Sequence, residues 1–278
     1  MTELTVEQEQ KVKATARQIR KDVLRMVTEA NSGHPGGSFS SADLMALLYE
    51  VELNVDPQRP KDKGRDRLVL SKGHAAPALY AALAAKGYFP REELWKLRKI
   101  DAMLQGHPDM KHTPGVDMTT GSLGQGFSAS CGMALAAHMD GDAFHVFAIL
   151  GDGELQEGQV WEAAMFAGHY GLDTLTACID FNGLQIDGNV TDVMSPLPIA
   201  DKFRAFNWHV IEVDGHDIQA LHAAIQKARS TSGMPTAIVM KTVKGKGVHE
   251  MENQAGWHGK APNAEQYRIF AAELEGED

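Results

Sequence analysis

The sequence predicts an α/β fold: a three-layer, doubly wound, mainly parallel sheet with helices on both faces. Three observations carry that prediction. Five short strand-like segments alternate with helical patterns, as a right-handed βαβ chain requires. Three of the five are nearly continuous apolar runs, the composition of parallel strands covered on both sides. The loops richest in glycine, histidine and acid follow the carboxyl ends of those segments, where open α/β sheets bind ligands.

The elements run in this order. Val12, Ala16, Ile19, Val23, Met26 and Val27 recur at helical spacing and predict an amphipathic first helix. A loop, "NSGHPGGS", comes next, then a helix over about 41–50 with Leu44, Leu47 and Leu48 turned inward. The strand segments are "DRLVLS" (66–71), "HVFAIL" (145–150), "LTACIDF" (175–181), "WHVIEVDG" (208–215) and "PTAIVMKTV" (235–243). Helical patterns cover "SASCGMALAAH" at 128–138, then 158–170 and 218–230. There is no internal repeat and no low-complexity linker. A single domain over 1–278 is therefore expected, with an N-terminal helical segment at 6–50 and a C-terminal extension at 248–278.

Composition narrows the function. Of 278 residues, 43% are hydrophobic and 23% charged, ordinary for a soluble globular chain. A formal charge of −10 excludes a general nucleic-acid binder, which needs basic surface for phosphate. Cys131 and Cys178 both sit in apolar stretches and read as buried thiols, not a disulfide framework. The N-terminus is charged throughout, unlike a signal peptide, and no apolar run nears the roughly 18 residues of a membrane span. A cytoplasmic protein with no membrane partner is the expectation.

"FAILGDGELQEG" places a Gly-Asp-Gly turn between strand and helix, where phosphate commonly binds, yet it is acidic and has no lysine. Asp152 ends one strand segment and Asn182, thirty residues on, ends the next. Adjacent parallel strands would bring both to one edge of the sheet. A carboxylate, an amide oxygen and a main-chain carbonyl form a hard oxygen set suited to Mg²⁺ or Ca²⁺, and such an ion could hold a diphosphate. Alternatively, Asp152 and Glu154 simply cap the following helix. Three of the twelve histidines sit in glycine-flanked loops, "SGHPG", "KGHAA" and "QGHPD", where imidazole could exchange protons with a hydroxylated or carbonyl substrate. His112, His138, His145, His209 and His222 lack such a setting and read as structural or surface groups. "GSLGQG" at 121–126 has G-x-x-G-x-G spacing, not the dinucleotide fingerprint, and there is no Walker sequence.

"GDGELQEG" followed by "IDFNGLQIDG" resembles the thiamine-diphosphate motif. Together with "NSGHPGG", "LSKGHAAPALYAAL", "LQGHPD", "TTGSLGQGFSAS" and "KTVKGKG…WHGKAP", in that order, it resembles transketolase from about residue 10 to 270. The resemblance implies a thiamine-diphosphate-binding fold of the diphosphate-binding type, and a cofactor of thiamine diphosphate with Mg²⁺, for which Ca²⁺ or Mn²⁺ could substitute. Asp152, Asn182 and the Leu184 carbonyl would ligate the metal. Gly151 and Gly153 lie in the turn that meets the diphosphate, and Lys72, His74, Lys244 and His258 would lie near the diphosphate or the reacting centre. Gly121 and Leu123 would touch the aminopyrimidine, with a tight backbone approach. Glu157 would stand at a subunit contact beside the cofactor, and Glu154 would be an exposed acid near a helix start. The glycines of "KGKG" would form a flexible turn. His34 and His107 would face the substrate's hydroxyls and carbonyl, and His258 would be the third catalytic residue. At Ala255 some family members carry a further histidine.

Transketolases of the familiar kind are more than twice as long, and this chain resembles their first domain only. The implied protein is the N-terminal subunit of a split transketolase, with the polar, acidic C-terminus read as a natural end. Its partner would be a C-terminal subunit carrying the pyrimidine-binding domain, in an α2β2 assembly. The implied reaction moves a two-carbon ketol unit from a ketose phosphate to an aldose phosphate. Alternatives are a relative acting on a sulfosugar, a branched sugar or formaldehyde, and a non-catalytic regulatory subunit.

Overall fold

Long amphipathic periodicity at the N-terminus becomes helix α1 (Val6–Glu29), started by a capping box in which Thr5 and Gln8 satisfy each other's free N–H groups. Its buried stripe includes Val12, Ile19, Val23 and Val27, each side chain worth about 1.5–3 kcal/mol on burial. The computed structural model describes residues 3–276; residues 1–2 and 277–278 of the expected domain lie outside the described residues.

After α1 come α2 (Pro35–Ser40), α3 (Ala42–Leu47) and a π-helical turn over Leu48–Glu52. The expected loop over 31–38 is thus partly helix, and the helix expected over about 41–50 is α3 plus the wider turn. Pro35 at the first helical position starts α2, its fixed φ suiting a helix and its missing N–H costing nothing there. Gly36 belongs in this helix because a Cβ there would stand 2.9 Å from the Trp257 carbonyl oxygen.

The remaining elements are β1 (Arg67–Leu70), α4 (Ala76–Lys86), α5 (Gln125–Asp140), β2 (Val146–Gly151), α6 (Gly158–His169) and β3 (Leu175–Phe181). A two-stranded hairpin, β4 (Leu184–Gln185) with β5 (Gly188–Asn189), precedes α7 (Val190–Met194) and α8 (Ile199–Ala205). The chain closes with β6 (His209–Asp214), α9 (Ile218–Ser230), β7 (Thr236–Lys241) and α10 (Ala264–Glu275). All five predicted strand segments are present, in one parallel sheet of order β1-β2-β3-β7-β6. Helix α5 begins three residues before the predicted 128, at Gln125.

Side chains alternate across the sheet with period two, so each strand feeds two cores. Phe147, Ile149, Cys178, Ile238 and Met240 join α1, α3, α4, α9 and α10 on one face. Val146, Ala148, Leu150, Ala177 and Ile179 join α5, α6 and α8 on the other. Cys131 and Cys178 are free and buried. No helix among the described residues is long and apolar enough to cross a membrane. The register Gly151↔Asp180 and Phe181↔Lys241 aligns the ends of β2, β3 and β7, and the cleft opens there.

Candidate active site

A cleft of about 370 Å³ lies beyond the carboxyl ends of β1, β2, β3 and β7. The turn after β2 forms its floor. Asp152 is 2% exposed, and its Oδ1 accepts from Gly153 N at 2.8 Å and its Oδ2 from Gly183 N at 2.5 Å. The second bond ties the β2 turn to the β3 turn, as the adjacency of the two strands demands. Among the described residues no cation reaches ion-pair distance of Asp152, and burial together with Asp180 pushes its carboxyl up to about 7.

Glu154 corrects the sequence expectation. It is buried, not exposed, and its carboxylate accepts from Gly151 N at 3.0 Å, from Gly124 N at 2.9 Å and from the Ser71 hydroxyl. Ser71 Oγ accepts in turn from Phe127 N at 2.9 Å. One buried acid therefore joins the turn after β1, the "GSLGQG" loop and the Gly-Asp-Gly turn, and burial raises its pKa. Glu157 is exposed at the N-terminus of α6 and lines the cleft mouth.

Across the floor, Asn182 donates from Nδ2 to Asp180 Oδ2 at 3.1 Å, and its Oδ1 accepts from Leu184 N at 3.1 Å. Asp180, fully buried, also receives Lys72 Nζ, Ser40 Oγ at 2.7 Å and the Thr242 hydroxyl. Lys72 spends its remaining reach on the Gly37 carbonyl at 2.9 Å. Lys72 thus borders the cleft but is committed to the protein. Nothing in the sequence singled out Asp180; its one signal was a charged residue in an otherwise apolar central strand, which calls for a partner.

The histidine motifs converge. The rings of His34 and His74 are 5.4 Å apart, His34 and His258 5.4 Å, and His74 and His258 4.9 Å. His107 stands further out, exposed, 6.4 Å from His34 and outside the cleft lining. Gly121, at φ +150°, passes beside it, and a Cβ there would meet the His107 ring at 3.2 Å. Leu123 lines the cleft next to Gly121. Burial is the first cause that lowers each of these imidazoles, reinforced by Arg98 at His34 and His107, by Lys72 at His74 and by Lys244 at His258. His34 falls to about 4 and His258 to about 3, so both are neutral at pH 7.

Lys244 is 2% exposed and donates to the Leu184 carbonyl at 3.0 Å and to His258 Nδ1 at 2.9 Å. With Nδ1 accepting, the His258 proton sits on Nε2. Burial lowers Lys244 to about 8. Its turn is not flexible: Gly245, at φ +77°, donates to the Gly36 carbonyl at 3.1 Å, and a Cβ there would stand 2.4 Å from the Met251 carbonyl oxygen. The structurally read histidines keep that character where bonds are resolved: His112 pairs with Asp109 and His222 with Glu52.

No cluster of three or more His, Cys, Asp or Glu side chains is placed to hold a metal among the described residues. The Asp152 carboxylate and the Asn182 amide oxygen are oxygen donors of the type a hard divalent cation takes, while the Leu184 carbonyl accepts from Lys244 in this structure. A family model described as "Transketolase, thiamine diphosphate binding domain" matches residues 11–274. The chain belongs to this family.

Relatives agree with that membership. The 6-deoxy-6-sulfo-D-fructose transketolase subunit SqwG of Clostridium sp. (strain MSTE9) is 47% identical over 98% of this chain and 98% of its own length. A protein of Phocaeicola vulgatus, named as one of the subunits of an apulose-4-phosphate transketolase, is 40% identical over 92% of this chain and 90% of its own. Among solved structures, transketolase from Leishmania mexicana superposes with a TM-score of 0.90 at 32% identity, over 95% of this chain. This chain spans only 41% of that protein.

Proposed function

We propose that the chain is the N-terminal, diphosphate-binding subunit of a heteromeric transketolase. It would transfer a two-carbon ketol unit from a ketose phosphate to an aldose phosphate in the cytoplasm, with thiamine diphosphate and Mg²⁺. The observation that carries the reading is the buried Asp152 beside the β3 turn, which has no ion-pair partner among the described residues, in a family defined by thiamine diphosphate binding. In this reading residues 1–278 are one diphosphate-binding domain. A C-terminal subunit supplies the pyrimidine-binding half, in an α2β2 assembly whose contact includes the exposed Glu157. The near-complete coverage of two relatives named as subunits supports the split.

Asp152, Asn182 and the Leu184 carbonyl would hold the Mg²⁺, with Ca²⁺ or Mn²⁺ as substitutes. Gly153 N, His74 and Lys244 would meet the diphosphate, beside Gly151. Gly121 and Leu123 would flank the pyrimidine. When bound, thiamine diphosphate supplies the electron sink. His34 and His107 would donate or accept hydrogen bonds at the substrate's hydroxyls and carbonyl. His258 would present its Nε2–H, while Lys244 fixes its tautomer. Lys72 would act through Asp180, not directly on the cofactor.

A second reading has a specific observation behind it. The two relatives named as subunits act on a sulfosugar and on apulose 4-phosphate, so the donor here could be a modified sugar. Incubation of both subunits with Mg²⁺, thiamine diphosphate, xylulose 5-phosphate and ribose 5-phosphate separates the two. Sedoheptulose 7-phosphate is the expected product. Its absence at saturating cofactor, with turnover of a sulfosugar or branched sugar, would move the assignment to the second reading.

A further inference from the structure

Asn182 Oδ1 can serve a cation only if the amide is held the right way round, because the flipped amide would point NH2 at the ion. Two contacts fix its orientation independently. Asp180 Oδ2, a carboxylate that only accepts while ionised, receives Nδ2 at 3.1 Å. Leu184 N, which only donates, meets Oδ1 at 3.1 Å. The second contact is local, within the turn itself. The first reaches back into the sheet, to a side chain with no exposed surface.

Asp180 is itself over-determined. Lys72 Nζ and Ser40 Oγ share Oδ2 with Asn182, and the Thr242 hydroxyl takes Oδ1. These partners come from the turn after β1, from α2 and from the residue after β7, so three segments beside the β3 turn converge on one carboxylate. Outer partners of this kind fix ligand orientation at metal sites, and their loss typically costs 10- to 100-fold in metal affinity.

We propose that Asp180 is the positioning residue of the cation site, holding the Asn182 amide by its Nδ2 so that Oδ1 remains the acceptor on the cleft side. Ser40, Lys72 and Thr242 brace Asp180 in that task. The inference rests on the metal reading of Asp152 and Asn182 and names a residue that touches neither metal nor substrate.

The test is Mn²⁺ binding to the full chain at saturating thiamine diphosphate, followed by electron paramagnetic resonance. Removing Asp180 alone would leave the Lys72 ammonium buried and unpaired, so Lys72→Met accompanies each change and its own effect cancels in the comparison. Lys72→Met/Asp180→Asn keeps an acceptor for Asn182 and a donor for Thr242. Lys72→Met/Asp180→Leu keeps neither. The expected result is Mn²⁺ affinity about 10- to 100-fold weaker in the leucine variant than in the asparagine variant. Equal affinities in the two, in folded protein that loses Mn²⁺ on Asp152→Ala, overturn the positioning role alone. Mn²⁺ binding that survives Asp152→Ala overturns the metal reading and the proposal with it.

Should the leucine variant fail to fold, Asn182→Asp reads the same contact. In the Lys72→Met background, the new carboxylate facing Asp180 is repelled and binds Mn²⁺ poorly; with Asp180→Asn added in the same background, affinity recovers. Equal affinity of Asn182→Asp with and without Asp180→Asn overturns the proposal.

Discussion

Asp152, at the carboxyl edge of the sheet, is buried differently from the acids at the amino edge and from its own neighbour Asp180, which is paired with Lys72. Below the amino ends of β1 and β2, Asp66 accepts from Asn54 N at 2.9 Å, His145 N at 2.8 Å and Arg229 at 2.7 Å. Nearby, Asp117 takes Arg65 and Leu68 N, while Glu52 takes His222 and Gln226. Each of these acids meets a basic side chain. At the carboxyl ends, Asp152 is as deeply buried but, among the described residues, its carboxylate accepts from two backbone N–H groups alone, while Lys244, whose charge favours the ionised form of Asp152, donates to a carbonyl and an imidazole. A buried carboxyl without an ion-pair partner is expensive, so the Asp152 turn, eased only by the charge of Lys244 nearby, is suited to receive a cation from outside.

Substitutions can break or sharpen that contrast. The largest effect should come from Asp152→Ala, with metal-dependent thiamine diphosphate affinity falling by at least the roughly 100-fold seen when metal-site partners are lost. The same change should leave cofactor-free stability equal or higher, because it removes a desolvated carboxylate; calorimetry and urea titration read the two quantities separately. Asp66→Ala should do the reverse. It removes the acceptor shared by Asn54 N, His145 N and Arg229, which keeps only the Glu52 carbonyl, and should cost about 1–3 kcal/mol in urea unfolding, with cofactor affinity unchanged in the folded fraction. A cofactor defect without a stability defect there would erase the distinction between the edges.

Glu154→Gln should have an intermediate effect on both measurements. One amide oxygen cannot accept from Gly124 N and Gly151 N on both sides, so an N–H is left facing NH2, at about 1–3 kcal/mol. The same loss loosens two glycine loops, so thiamine diphosphate should also bind less tightly.

The smallest effect is in pH dependence. His34 and His258, at about 4 and about 3, stay neutral in the folded chain while the unfolded chain takes up their protons near 6.5. Their contribution is present above about 6.5 and is lost as pH falls through about 4 and then about 3. Asp152 works against this slope: its folded carboxyl holds a proton up to about 7 while the unfolded one releases it near 3.8. Urea stability of the cofactor-free chain should therefore fall on acidification below pH 6.5, less steeply in His258→Gln and more steeply in Asp152→Asn. An unchanged slope in both variants would contradict these assignments.

The sheet and the position of the cleft were legible in the sequence because apolar strand runs and glycine turns are local signals. Strand adjacency predicted Asp152 and Asn182 at one edge, where both line the cleft; of the three glycine-flanked histidines His34 and His74 line it and His107 does not. Glu154 was misread for the opposite reason. An acid in a glycine loop looks solvated until the loops that fold over it, from Ser71 and Gly124, are in place. Asp180 was hidden in the same way, since its four donors are spread from Ser40 to Thr242. Helix α2 lies where the sequence predicts a loop, and its Gly36 admits the Trp257 carbonyl and Lys244 at close range. Pro35 at the first helical position was the available signal.

Whether the Asp152 turn is a metal–diphosphate site is tested most directly by titrating thiamine diphosphate into the full chain with Mg²⁺ and again with a chelator. Tight binding is predicted with Mg²⁺, and binding weaker by about 100-fold or more without it. Equal affinity in both conditions would contradict the metal–diphosphate reading.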